Sequence, residues 1–304
     1  MVKNIKKNQV TVRSYIPVKT TVLTYTEAPT SHPDLVKLVD HEGNWTHYRH
    51  KPTNRMLAAV NHVIANGYNK GPRFHDYLLS VSREEAKKAL ESAGERGTRV
   101  HSGIRDLVDG MEVGLATKYP SESSYGRMEP ITFEEWSLIQ CFERWQKERA
   151  PRVSGQEISV FSLEHGYAGT VDFLGSVNAV EKGFGVLDWK TSSRIWNEYA
   201  LQTAAYFMAI LEMKDKRYVV PDYTGIIRFS DGRQDGFEEK WWSRKETESN
   251  FEHFLAAKKV YEFNKPKKGD DPVVREVPFS LKIEVPRIVP QKKTKSKEKI
   301  KKSK

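Results

Sequence analysis

The chain is 304 residues long, 38% hydrophobic and 30% charged, enough apolar material for one large domain or a domain with additions. No apolar run approaches the ~18–20 residues needed to span a bilayer, and the basic start MVKNIKKNQV has no apolar stretch behind it, so neither membrane insertion nor secretion is expected. The single cysteine, Cys141, excludes an internal disulfide and a cysteine-held zinc or iron–sulfur cluster, and the expected setting is the reducing cytoplasm of a bacterial or phage-infected cell.

The formal net charge is +10, and residues 291–304, with eight Lys and one Glu, carry +7 of it. Such a tail suits a polyanionic partner through counterion release. A solvating, disordered end is the other reading.

In chain order, residues 1–52 show no sustained period and are interrupted by Pro17, Pro29, Pro33 and Pro52. They read as an irregular segment with a short strand at 20–24. Residues 53–150 read as a helical segment. Met56, Leu57, Val60, Val63 and Ile64 recur at helical spacing, with Gly67 as a stop. Ser82 followed by Glu85 marks a capped helix over 82–93. Gly94 and Gly97 should break it, after which Thr98 opens another helix carrying Val100, Ile104, Leu107 and Val108. Thr132 followed by Glu135 opens a further one through Trp136, Ile139, Phe142 and Trp145, ending before Pro151.

The period then changes. Residues 153–163, 167–177 and 183–191 are short, rich in β-branched and aromatic residues and separated by Gly or polar turns, so three strands are expected. A helix over 196–213, strands at 223–229 and 236–242 and an amphipathic helix over 243–263 complete the pattern. That order predicts an α/β domain over 151–263, a mixed β-sheet flanked by helices, antiparallel in its first part. Residues 264–304 form an extension, with a lysine-rich disordered tail from about residue 289.

The chemistry concentrates in GTVDFLG (169–175) and GVLDWKTSS (185–193). Side chains alternate along a strand, so Asp188 and Lys190 share a face and Trp189 points away. A hairpin would bring Asp172 alongside Asp188. Two converging carboxylates repel each other, and a hard divalent cation such as Mg²⁺ removes that cost while leaving room for a phosphate oxygen. Lys190 could then orient an attacking water or stabilise the charge of the transition state. A cross-strand Asp–Lys ion pair on a solvated face is the plainer reading, but Val186, Leu187 and Trp189 make this strand largely apolar.

With GTVDF, LDWKTS and the Gln202 and Tyr206 of LQTAAY, preceded by RGTRVH (96–101), the chain resembles the RecB-type branch of the PD-(D/E)xK nucleases. That branch includes the mitochondrial genome maintenance exonuclease. The order G-x-x-x-H, G-x-x-D, D-x-K-T and Q-x-x-x-Y covers roughly residues 94–207. The resemblance implies a restriction-endonuclease-like core and a metal-dependent deoxyribonuclease using Mg²⁺ or Mn²⁺. It further implies His101, Asp172, Asp188 and the Trp189 carbonyl as metal ligands, and Lys190 as the catalytic lysine. Several members of the branch hold an iron–sulfur cluster on four cysteines, which this sequence lacks.

Other positions stay open on residues alone. Glu157 could hold a water bound to the metal or be an ordinary strand-surface Glu. Gln202 and Tyr206, four apart, share a helix face and could hold nucleic acid or the lysine, or simply cap the sheet. Thr191, Ser192 and Ser193 could donate to phosphate or cap the following helix. His101 without its motif would read as a partly buried helix residue. Tyr68, Phe74 and Tyr77 could stack on the bases of a threaded single strand or pack the helices together.

The expected activity is hydrolysis of DNA phosphodiester bonds in replication, repair or recombination. A single-strand or end-dependent exonuclease is favoured over an endonuclease or a non-cleaving binding module.

Overall fold

A computed structural model describes residues 26–265 apart from 40–44, 72–75, 77–78, 122–123, 125 and 181–182. The strand expected at 20–24, the aromatics Phe74 and Tyr77, and the lysine-rich tail lie outside the described residues.

The architecture is α/β, a mixed sheet flanked by helices. Strands β1 (Thr26–Pro29), β2 (Leu35–Val39), β3 (Trp45–His50) and β4 (Arg55–Ala59) form an antiparallel meander. β4 then pairs in parallel with β8 (Tyr167–Ser176) through Ala58 and Ala59. β7 (Arg152–Ser162) forms a long antiparallel hairpin with β8, and β9 (Gly185–Lys190) is antiparallel to β8. β10 (Tyr223–Phe229) runs parallel to β9, and β11 (Phe237–Ser243) closes the sheet antiparallel to β10. A separate hairpin joins β5 (Lys118–Ser121) and β6 (Arg127–Pro130).

The helices are α1 (Val60–Gly67), α2 (Arg83–Val108), α3 (Phe133–Arg149), α4 (Glu198–Met213) and α5 (Arg244–Phe263). The apolar side chains of α1, α4 and α5 pack with Ile158, Val160, Val171, Leu174 and Val186 into one core. Those of α2 and α3 pack with Phe173, Leu187, Trp189, Ile227 and Phe229 into another. Strand β9 is therefore buried from both sides, which explains why Val186, Leu187 and Trp189 are apolar on both of its faces.

Three expectations are corrected. Residues 26–50, expected to be irregular, carry three strands whose Leu35 and Tyr48 form a small core with Leu57, Ala59 and Ala168. Of the prolines that suggested an irregular segment, Pro29 sits at a strand end and Pro33 and Pro52 in turns, Pro17 lying outside the described residues, and a register shift at Leu38/Val39 breaks the alternation. The helix expected from residue 54 begins at Val60, because Arg55–Ala59 is drawn out as β4, whose Ala58 and Ala59 pair with β8.

The third correction concerns the glycines of 94–97, which do not interrupt α2. Each costs about 1 kcal/mol against alanine in a helix, and tertiary contacts override that preference. The Arg99 guanidinium donates to the Tyr119 and Pro130 carbonyls at 2.7 Å each and to Glu135 at 2.8 Å, pinning the helix to the β5–β6 hairpin and to α3. Gly103 lets α3 approach, since a Cβ there would stand 2.5 Å from Ile139 Cδ1. Thr98 is no cap; its hydroxyl donates back to the Gly94 carbonyl at 3.1 Å. The capping boxes at Ser82–Glu85 and Thr132–Glu135 form as expected.

Candidate active site

The site lies where one edge of β8 changes partner. β4 occupies that edge at Tyr167 and Ala168, and β9 occupies it at Phe173–Gly175, so Gly169–Asp172 has no strand on that side. The Asp172 carboxylate fills part of the gap, its Oδ2 accepting the Trp189 backbone amide at 2.8 Å. Helix α2 brings His101 to the same place, with Nε2 3.0 Å from the Trp189 carbonyl and Nδ1 3.5 Å from Asp172 Oδ2. The carbonyl can only accept, so Nε2 carries a proton in this arrangement.

Glu157 arrives from β7. Its neighbours Gln156 and Ile158 pair with Phe173 and Val171, which sets it opposite Asp172. Its backbone is left-handed (φ 49°), a conformation a non-glycine residue adopts at a cost and here one that belongs to the site. Ligand atoms of His101, Glu157 and Asp172 all lie within 4.8 Å of one another.

The electrostatics follow from this crowding. Burial, reinforced by the Asp172 charge, raises the Glu157 carboxyl to about 7. Burial would raise Asp172 too, but His101, Lys190 and the Trp189 amide outweigh it and hold that carboxyl below its usual value. Burial also opposes charge on His101, yet Asp172 and Asp188 raise its pKa overall. Lys37 of β2 is a further positive charge facing Glu157.

Asp188 and Lys190 sit on the α4 side of β9. The Lys190 ammonium is paired with Asp188 Oδ2 and donates to Gln202 Oε1 at 3.0 Å, while Gln202 Nε2 donates to Asp188 Oδ1 at 2.8 Å. Burial raises the Asp188 carboxyl to about 6 against the opposing Lys190 charge, and Lys190 is itself raised because Asp188 and Asp172 outweigh its desolvation. Gln202 Nε2 also lies 3.0 Å from the Tyr206 hydroxyl. The Tyr206 ring lies against Gly169, where a Cβ would come within 2.4 Å of Cε1. The glycine of GTVDF and the tyrosine of LQTAAY are thus one packing unit.

The residues singled out in the sequence divide into groups. His101, Glu157 and Asp172 converge as possible ligands for a cation. Asp188 is beside them but bound to Lys190 and Gln202, and the Trp189 carbonyl, an expected ligand, faces the His101 Nε2 proton. Gln202 and Tyr206, expected to hold the nucleic acid or the lysine or to cap the sheet, are 6% and 2% exposed, with their polar groups directed at Asp188, Lys190 and each other. Thr191 and Ser192 stand at the surface end of β9. Their carbonyls accept from Arg96 (3.3 Å) and Arg228 (3.2 Å), and the Ser192 hydroxyl donates to the Arg194 carbonyl at 2.9 Å.

Arg96 and Arg228, which hold this end of the strand, were not singled out from the sequence. Arg96 sits at the head of the RGTRVH motif, and that was its only signal.

An imidazole nitrogen and two carboxylates, one on a strained backbone and pushed toward neutrality by burial and then by the other, form a donor set suited to a divalent cation. Each carboxylate is an oxygen donor, and a cation between them would relieve their repulsion.

No protein-family model matches this chain, and no curated protein matches it. Among solved structures it is similar to an alkaline exonuclease, LHK-Exo, from Laribacter hongkongensis, at 13% identity and a TM-score of 0.24 over 55% of this chain and 81% of that one. It is similar to LHK-Exo in complex with dAMP at 12% identity and a TM-score of 0.23, covering 55% of this chain and 82% of the other. Likeness at that depth bears on neither fold nor function. Among the described residues, no helix is long and apolar enough to cross a membrane.

Proposed function

We propose that this chain is a divalent-metal-dependent nuclease with a restriction-endonuclease-like core, hydrolysing DNA phosphodiester bonds. The observation that carries the proposal is the convergence of His101, Glu157 and Asp172 within 4.8 Å, beside a partly buried Lys190 held by Asp188 and Gln202. His101, Glu157 and Asp172 would hold Mg²⁺ or Mn²⁺, with Asp188 alongside. Bound there, the cation supplies Lewis-acid polarisation of the phosphodiester. The protein's own part is to place charge. Lys190, kept cationic by its carboxylate neighbours, stabilises negative charge developing on the phosphorane and orients the attacking water. Gln202 fixes the lysine from the side away from the substrate. Thr191, at the rim, donates to a flanking phosphate, while the Ser192 hydroxyl, given to the Arg194 carbonyl, shapes the rim beside it.

The substrate we assign is DNA with single-stranded ends, on the strength of the motif resemblance, with a role in replication, repair or recombination. Labelled linear and covalently closed single strands, incubated with Mg²⁺, with Mn²⁺ and with EDTA, test all of this together. Cleavage that needs the metal and is lost in Asp188→Asn supports the nuclease. More than ~1% residual activity in that variant would remove Asp188 from the site, since losing such a group typically costs several kcal/mol of barrier. A circle degraded as fast as the linear strand makes the enzyme an endonuclease. Binding without cleavage under every metal makes the chain a nucleic-acid-binding module.

A further inference from the structure

We infer that Tyr199 is a positioning residue for Lys190, its ring holding the ammonium in the site; this rests on the nuclease reading above. An ammonium offers three hydrogens on a flexible four-carbon stem, so two partners leave it free to pivot. Asp188 and Gln202 are two, both on the inner side. Tyr199 lines a further side of the ammonium, with Lys190 Nζ 4.7 Å from the ring centroid, which narrows the pivot while a face of the ammonium remains for the substrate. A cation over an aromatic face is attracted by the ring's quadrupole, and more strongly where water is excluded.

The ring is well placed for this by the helix. Tyr199, Gln202 and Tyr206 fall at i, i+3 and i+7 in α4, a single stripe facing β9 and, at Tyr206, Gly169 of β8. The Tyr199 carbonyl accepts the Thr203 hydroxyl at 3.1 Å, and the side chain packs on the core formed by α1, α4 and α5. The working element on this helix is therefore Y-x-x-Q-x-x-x-Y, one turn longer than Q-x-x-x-Y. The Tyr199 hydroxyl bonds the Ser192 side chain, and its ring lies on Lys190. It acts through the lysine.

The test compares Tyr199→Phe, which keeps the ring, with Tyr199→Leu, which removes it, using the full chain, Mg²⁺ and a labelled single-stranded oligonucleotide. Tyr199→Phe should stay within about twofold of wild type. Tyr199→Leu should lose about tenfold or more in kcat with KM little changed, because binding does not use the ring. A second readout needs no turnover: in metal-free protein, acetylation of Lys190 mapped by mass spectrometry should be severalfold faster in Tyr199→Leu than in wild type or Tyr199→Phe. If Tyr199→Leu melts early, Tyr199→Met supplies an apolar side chain without a ring for the same comparison. Equal kcat and equal labelling in the ringless variant would overturn the inference, and so would a Tyr199→Phe as impaired as Tyr199→Leu, since the hydroxyl would then be the working group. Lys190→Ala is the control. If it cleaves like wild type, or wild type does not cleave, the nuclease reading falls and takes this inference with it; loss of cleavage in Lys190→Ala beside full-rate Tyr199→Leu faults the inference alone.

Discussion

Asp172 is bonded to the strand it diverges from: its Oδ2 accepts the Trp189 amide at 2.8 Å, just past the Phe173–Leu187 pair where β8 and β9 stop pairing. One carboxylate thus closes the sheet and faces the proposed cation. The two roles separate by substitution. Asp172→Asn retains an acceptor for the amide and should fold like wild type while losing cleavage. Asp172→Ala leaves that amide without its acceptor and should lose about 1–3 kcal/mol as well. Urea unfolding of the two variants decides it; equal midpoints would mean the carboxylate does not hold the fork.

Gln202 provides a second separation. Its amide is spent between Asp188, Lys190 and Tyr206, and it is buried. Gln202→Leu should therefore lower kcat by about tenfold or more and leave affinity for DNA within about twofold. A weakened Kd with kcat intact would return Gln202 to the nucleic-acid surface.

The outline of residues 151–263 was legible in the sequence because its strands are bounded by turn residues, and the capping boxes at Ser82–Glu85 and Thr132–Glu135 marked α2 and α3 before it. The strand Tyr223–Phe229 falls where the pattern put it. The N-terminal strands were not legible, since each is only four to six residues long and two rest on pairing with β4 and each other for their burial. At the site, D-x-K spacing correctly placed Asp188 and Lys190 on one face. It could not show that Glu157 would adopt a left-handed backbone toward Asp172, because no local signal specifies that conformation for a glutamate. Nor could spacing show that Gly169 exists to admit the Tyr206 ring, a contact between elements far apart in the chain.

The crowded carboxylates predict how the metal-free protein responds to pH. Glu157 is raised from 4.5 to about 7 and Asp188 from 3.8 to about 6, so the folded state binds these protons more tightly than the unfolded chain. Stability from them is greatest at low pH and is lost as pH rises toward 7. His101, raised above 6.5, acts in the same sense, stabilising below 6.5 and losing that contribution as pH passes its folded value. Asp172 is lowered below 3.8, so its contribution is lost only in stronger acid and is constant over this range. His47, held down to about 4 by burial, and His32 and His62, also lowered by burial, act in the opposite sense up to pH 6.5, so the site is read by difference. In EDTA, wild type should lose melting temperature relative to Glu157→Gln between about pH 4.5 and pH 7, and its extra gain on adding Mn²⁺ should grow over the same interval. A difference that stays constant over that interval would contradict the proposed crowding.

His101 tests the cation most directly. Its side chain is 25% exposed, and it sits on a helix whose position is set by Arg99 and Gly103, not by the imidazole itself. Removing the ring should therefore cost little stability while removing one donor from the cluster. His101→Ala should need roughly 10–100 times more Mn²⁺ for half-maximal cleavage, the range typical when a group that orients or completes a metal site is lost. Saturating Mn²⁺ should recover much of the rate, because Asp172, Glu157 and Lys190 remain in place. The opposite pattern, a sharp drop in melting temperature with no rescue at any metal concentration, would make His101 a strut between α2 and the Trp189 carbonyl, and the cation would then rest on the carboxylates alone.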